Sequence, residues 1–154
     1  MKTFARKTLF VFLTVIAAQN PALAFQPFGG PARPLGENPV IGGISMTCYG
    51  IPTVVQHIQD IAFARPGVII LSPRFFNEDP AVQRFIYAHE CAHHVLGSNE
   101  SAADCWAMQI GRDQGWLSRR DATAVAHTLS RTPGSITHPP GPIRAEQAMR
   151  CYRS

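Results

Sequence analysis

Residues 89 to 97 read His-Glu-Cys-Ala-His-His-Val-Leu-Gly, and no other stretch restricts the fold of this chain so tightly. On an α-helix, positions i and i+4 stand one above the other, so His89 and His93 share a face and Glu90 sits beside it. Two imidazoles at that spacing can ligate one metal ion, and the adjacent carboxylate can take a proton from water. The pattern is H-E-x-x-H, which also occurs by chance on surface helices, so the surrounding residues must carry the case.

A hydrolytic zinc needs a third protein ligand and an open position for water. The candidate is Glu100, seven residues after His93. If the helix simply continued, a rise of ~1.5 Å per residue would carry Glu100 about 10 Å away, too far to share an ion held by bonds of ~2 Å. The chain must therefore reverse at Gly97-Ser98-Asn99, residues suited to a helix stop and a turn. Asp104, one turn after Glu100, can then accept the distal N–H of a ligand histidine and hold its ring. The plainer reading of Glu100 is a carboxylate favoured by the dipole at a helix start.

The flanking pattern predicts an α+β fold. Ile51–Gln56, Ile61–Ala64 and Val68–Leu71 have β character, and Arg65-Pro66-Gly67 is a turn signal, which together read as a hairpin or meander. Asp79 caps and Pro80 opens a helix reaching Leu96, with Phe85, Ile86, His89, His93 and Leu96 on a common face. Ser98 or Asn99 caps a second helix that ends near Gly111 or Gly115. Ser118-x-x-Asp121 opens a third helix to about Leu129, Pro133–Pro142 is a loop, and Ile143–Tyr152 forms a last helix.

Residues 1–24 read as an export signal. Lys2, Arg6 and Lys7 precede an apolar run from Leu9 to Ala18, too short to span a bilayer, and Ala22-Leu23-Ala24 is a small-x-small cleavage site. Cleavage removes three of the 14 basic residues and none of the 10 acidic ones, leaving 11 against 10 and a net charge of +1. The basicity of the whole chain is thus a targeting feature and argues against nucleic acid or an anionic membrane as a partner. Residues 25–39, rich in Pro and Gly, read as a mobile leader, and 40–154 as one domain.

Cys48, Cys91, Cys105 and Cys151 all follow the signal, so an oxidising compartment favours one or two disulfides. Three full pairings are possible. Tying the chain ends through Cys48–Cys151, with Cys91–Cys105 as the second bridge, is preferred weakly over the others. A Cys-built zinc site is disfavoured because C-x-x-C spacing is missing.

Beyond these patterns, four segments resemble one family in its order. Ala62-Phe63-Ala64-Arg65-Pro66-Gly67, followed by Ile69 and Ile70, resembles the edge-strand segment of HtpX and the CAAX prenyl proteases. The H-E-x-x-H stretch follows, and then Glu100 four residues before Asp104, similar to the second helix of gluzincins. Thr137-His138-Pro139-Pro140 with Arg144 resembles the family's T-H-P-P-x-x-x-R segment. The resemblance spans Ala62 to Arg144; the six-residue spacer between His93 and Glu100 is short for the pattern, and the family's membrane helices have no counterpart. It implies a minimal gluzincin, a zincin-like domain with a small sheet packed on a helical core. It further implies one zinc ion on His89, His93 and Glu100, with Glu90 as general base. By the same resemblance His138 faces the metal, either donating to the oxyanion or controlling the open position, and Arg144 braces the third-ligand region.

The expected activity is an exported zinc endopeptidase acting on peptides or unfolded proteins, with the strand after Gly67 offering its edge to an extended substrate. The rival is a latent or non-catalytic zinc-binding chaperone or binding module in which His138 closes the site. His94 points away from His89 and reads as a packing or backbone-bonded ring, and Tyr87 as core or rim.

Overall fold

The computed structural model describes residues 30–135 and 138–154. The signal segment, residues 25–29 of the leader and Thr137 lie outside the described residues. The described residues form a small α+β fold of four helices and a mixed sheet, with a short ribbon beside it.

The strands are β1 (Arg33–Gly36), β2 (Val40–Ile41), β3 (Ile44–Ser45), β4 (Thr53–Val55), β5 (Ala62–Arg65) and β6 (Val68–Leu71). Four of them form the sheet in the order β1-β4-β6-β5, while β2 and β3 pair with each other. β5 and β6 make the expected hairpin, with Ala64 opposite Ile69 and Ala62 opposite Leu71. Pro66 and Gly67 occupy its turn, and Gly67 takes φ of 79°, a conformation that glycine adopts without a Cβ penalty. The pairing of β4 with β6 is parallel. The segment is therefore no simple meander, because the chain leaves β4 for the outer edge and returns into the gap.

Two expectations change here. Among the described residues the strand after Gly67 is interior, and β5 is the outer strand on that side. Arg33–Gly36, read as part of a mobile leader, is the opposite edge strand, antiparallel to β4. Its Pro and Gly content hid it, since proline survives in a sheet at an edge, where an amide is dispensable.

A 3-10 turn at Pro73–Asn77 leads into α1 (Pro80–Leu96). Asp79 caps it by accepting from the Ala81 N–H at 2.9 Å, and Gly97 ends it at φ of 73°. Asn99 caps α2 (Glu100–Asp113), accepting from Ala102 N–H at 3.0 Å. Ser118 and Asp121 form a reciprocal capping box on α3 (Arg119–Ser130), and α4 (Gly141–Arg153) closes the chain.

α1 is the middle layer. Its Tyr87 and Cys91 pack on Ile69, Leu71 and Phe75 beneath the sheet, while Val82, Phe85 and Ala88 meet Met108, Val125 and Leu129 of the other helices. A helix apolar on both sides is buried on both, which fixes its position and places the end of the H-E-x-x-H stretch at a layer boundary.

Both disulfides fasten this arrangement, with a pairing other than the preferred one. Cys48 bonds Cys91 and Cys105 bonds Cys151, with Cα–Cα distances of 5.6 and 5.2 Å. Successive helical residues point about 100° apart. Asp104 is turned toward α1, so its neighbour Cys105 faces α4 and cannot meet Cys91. Two disulfides are the mark of an oxidising, extracytoplasmic setting. Among the described residues no helix is long and apolar enough to cross a membrane.

Candidate metal centre

His89 and His93 stand one turn apart on α1 with ring centroids 4.7 Å apart and their Nε2 atoms 3.1 Å apart. The reversal at Gly97 sets Glu100 as the first residue of α2, and its Oε2 lies 3.0 Å from His89 Nε2 and 3.5 Å from His93 Nε2. His138, from the segment before α4, brings its Nε2 to 2.8 Å from the same oxygen and stacks on the His89 ring at 6.0 Å. His89, Glu100 and His138 each offer a ligand atom within 4.8 Å of the other two, a set that could hold a metal ion. His93 is outside that mutual set yet touches two of its members.

The far nitrogens are all engaged. His93 Nδ1 lies 2.8 Å from the Gly97 carbonyl, which can only accept, so the proton sits on Nδ1 and the Nε2 lone pair faces the cluster. His89 Nδ1 donates to Asp104 Oδ1 at 2.8 Å. Asp104 is gripped by Arg144, with Nε to Oδ2 at 2.8 Å and Nη2 to Oδ1 at 2.7 Å. Ser135 Oγ stands 3.3 Å from His138 Nδ1 and accepts from the His138 N–H at 3.0 Å.

Two imidazole lone pairs facing each other at 3.1 Å repel unless a proton or a cation lies between them. Glu100 Oε2 is buried and crowded by three ring nitrogens at ion-pair distance, yet none is aligned to donate a hydrogen bond to it. A carboxylate oxygen in that state matches a metal ligand better than a hydrogen-bond acceptor, and the donor set fits a cation.

The charges agree. Burial works against a charged His89, but the Asp104 hydrogen bond, the Glu100 contact and the charges of Asp104 and Glu90 outweigh it and hold its pKa at about 9. A proton on His89 and a cation thus compete for one place. Burial pushes Glu100 and Asp104 up, but the histidines around Glu100 and the Arg144 fork on Asp104 bring both below the ordinary carboxylate range. His138 is lowered by burial and then by Arg144.

Glu90 is 8% exposed and lines the cleft beside His89 and His93. Burial raises its pKa, opposed by the charges of His89 and His93. A cleft of about 1150 Å³ runs past these groups, bounded by β5 and α1 on one side and by α3 and the segment around His138 on the other. His94 is not among the groups gathered at the cluster, and burial pushes its imidazole down.

The structure therefore brings together all seven residues singled out from the sequence: His89, Glu90, His93, Glu100, Asp104, His138 and Arg144. What sequence reasoning missed is the Gly97 carbonyl behind His93 and Ser135 behind His138. The first is a main-chain group with no residue signature. Ser135, three residues before His138, was readable as a local hydroxyl-to-backbone turn. No protein-family profile, curated protein or solved structure matches the chain.

Proposed function

We propose that the chain is an exported zinc-dependent endopeptidase of minimal gluzincin type. The observation that carries this reading is the convergence of His89 Nε2, His93 Nε2 and Glu100 Oε2, each ring locked from behind so that its lone pair faces inward. Imidazole and carboxylate donors suit zinc, and the resemblance to HtpX-type enzymes adds the order of the segments.

Bound there, zinc supplies a water acidic enough to ionise near pH ~7 and polarises the substrate carbonyl. The chain's own groups do the rest. Glu90 takes the proton of the attacking water and returns it to the leaving amine, a role suited to a buried carboxylate whose pKa lies above the usual range. His138 donates from Nε2 to the oxygen of the tetrahedral species, and the outer strand β5 holds the peptide by main-chain hydrogen bonds. The cleft has room for several residues of an extended chain, which favours peptide or unfolded protein over a small metabolite.

A second reading rests on the His138 geometry. With His138 as a fourth ligand the site is closed, and the protein binds zinc without turning over, as a latent or chaperone-like module. Zinc stoichiometry, together with cleavage of unfolded casein with and without chelator, tests both. One zinc with chelator-sensitive cleavage supports the peptidase; one zinc with no cleavage supports the closed site.

A further inference from the structure

The contact that sets Arg144 on Asp104 belongs to a seam between α2 and α4 that carries a second, covalent link. Cys105 follows Asp104 on α2 and bonds Cys151 of α4, with a Cα–Cα distance of 5.2 Å. Cys151 lies seven residues after Arg144, about two turns of helix, so arginine and cysteine share one face of α4. Gly141 and Ala148 are the buried residues of that helix, so little apolar surface fixes its rotation against α2. Gln109 Nε2 donates to Ser154 Oγ at 3.2 Å and Arg112 Nη1 to the Tyr152 carbonyl at 2.9 Å, which hold the far end of α4; Ser101 Oγ reaches Gln147 Oε1 at 3.4 Å on the exposed side. The Arg144 fork near the helix start is the contact most dependent on alignment, because paired hydrogen bonds weaken steeply as their angles close. The two bridges also differ in access. Cys48 and Cys91 are 0% and 2% exposed, whereas Cys105 and Cys151 are each partly exposed.

We propose that the Cys105–Cys151 bond is a redox-sensitive latch that positions Arg144 on Asp104, so that the centre holds zinc tightly with the bond closed and weakly with it open. The inference rests on the zinc reading above and concerns the regulation of that site. Closed, the bond fixes the rotation of α4; the fork then holds Asp104, and Asp104 orients the His89 ring. Opening takes two electrons from an external dithiol. One thiolate attacks a bridge sulfur to give a mixed disulfide, and the second releases it. Cys105 and Cys151 are left as thiols with two added protons, and the reductant leaves as a disulfide. The sealed Cys48–Cys91 bridge is out of reach of such a reagent and keeps α1 anchored meanwhile. A chain in a reducing compartment is thereby kept from holding zinc tightly until oxidation closes the bond.

In the full chain, Cys105→Ser with Cys151→Ser is expected to bind zinc about 10-fold more weakly than oxidised wild type, by competition against a chromophoric chelator. Circular dichroism should show its helices retained. In an Arg144→Ala background the same two serines should change zinc affinity by less than about 2-fold, since the bridge acts through the arginine. Wild-type affinity in the serine variant overturns the latch, and so does an undiminished loss in the Arg144→Ala background. If the serine variant does not fold, the reciprocal measurement uses wild type. Saturating zinc should lower the reduction potential of Cys105–Cys151 by about 30 mV, the equivalent of tenfold, read by alkylation and mass spectrometry in glutathione buffers of graded poise. No shift with zinc overturns the proposal. Wild type that binds no zinc overturns the metal reading together with the latch, whereas wild type and serine variant binding zinc equally overturn the latch alone.

Discussion

Arg144 and Asp104 are joined by two parallel hydrogen bonds of 2.8 and 2.7 Å, although 40 residues separate them in the chain. Burial pushes the Asp104 carboxyl up, and the Arg144 fork together with His89 brings it below its ordinary range. The same carboxylate fixes the tautomer of His89, so α4 controls a ligand on α1 through a residue of α2.

Arg144→Ala is therefore expected to weaken zinc binding by about 10-fold to 100-fold without removing any ligand. Arg144→Lys should recover only part of that, since an ammonium cannot form the planar fork. Competition against a chromophoric chelator measures both, and zinc affinity unchanged in Arg144→Ala would disprove the relay.

Glu90→Gln should retain one zinc per chain and lose cleavage by at least about 10²-fold, the usual contribution of a general base. Metal analysis beside a casein assay separates the two effects. An active glutamine variant would remove Glu90 from the chemistry.

His138 is where the two functional readings diverge. As an oxyanion donor, His138→Ala lowers kcat on the order of 10²-fold and leaves zinc affinity within a few fold. As a fourth ligand, the same substitution weakens zinc binding and opens the site to water, so that activity appears or rises.

Gly141 tests the packing that delivers Arg144. A Cβ at this position would lie 2.4 Å from the Leu129 carbonyl oxygen and 2.5 Å from that of Thr132. Backbone cannot yield as a flexible side chain can, so Gly141→Ala should cost about 1–3 kcal/mol in denaturant unfolding. It should also weaken zinc binding, because the displaced helix start carries Arg144.

The Cys48–Cys91 bridge anchors α1 one residue beyond Glu90, closing a sequence separation of 43. Replacing both cysteines by alanine should lower unfolding stability by about 2–5 kcal/mol. Denaturation monitored by circular dichroism would show it, and a change near zero would mean that the layers hold α1 unaided.

Much of this architecture was legible locally. Asp79-Pro80, Gly97, Asn99 and Ser118-x-x-Asp121 mark helix ends through hydrogen bonds made within a few residues, so the sequence carries them without knowledge of the fold. The Pro66-Gly67 hairpin and the need for a reversal before Glu100 are equally local, the latter because helix rise and bond length leave no alternative. The disulfide pairing, the strand at Arg33–Gly36 and the interior place of β6 were not legible. Each depends on which face of one element meets another, and only the packed layers set that.

The site divides along the same line. Sequence by itself determined that His89, His93 and Glu90 share a helix face and its flank, and that Glu100 has to return to them if it is to share their ion. The tertiary structure alone decided that His138 Nε2 comes to 2.8 Å from Glu100 and that Arg144 reaches Asp104. Covalent spacing governs contacts within a turn or two of helix. Contacts between distant segments exist only where burial of both faces of α1 brings sheet and helices to the same end of it.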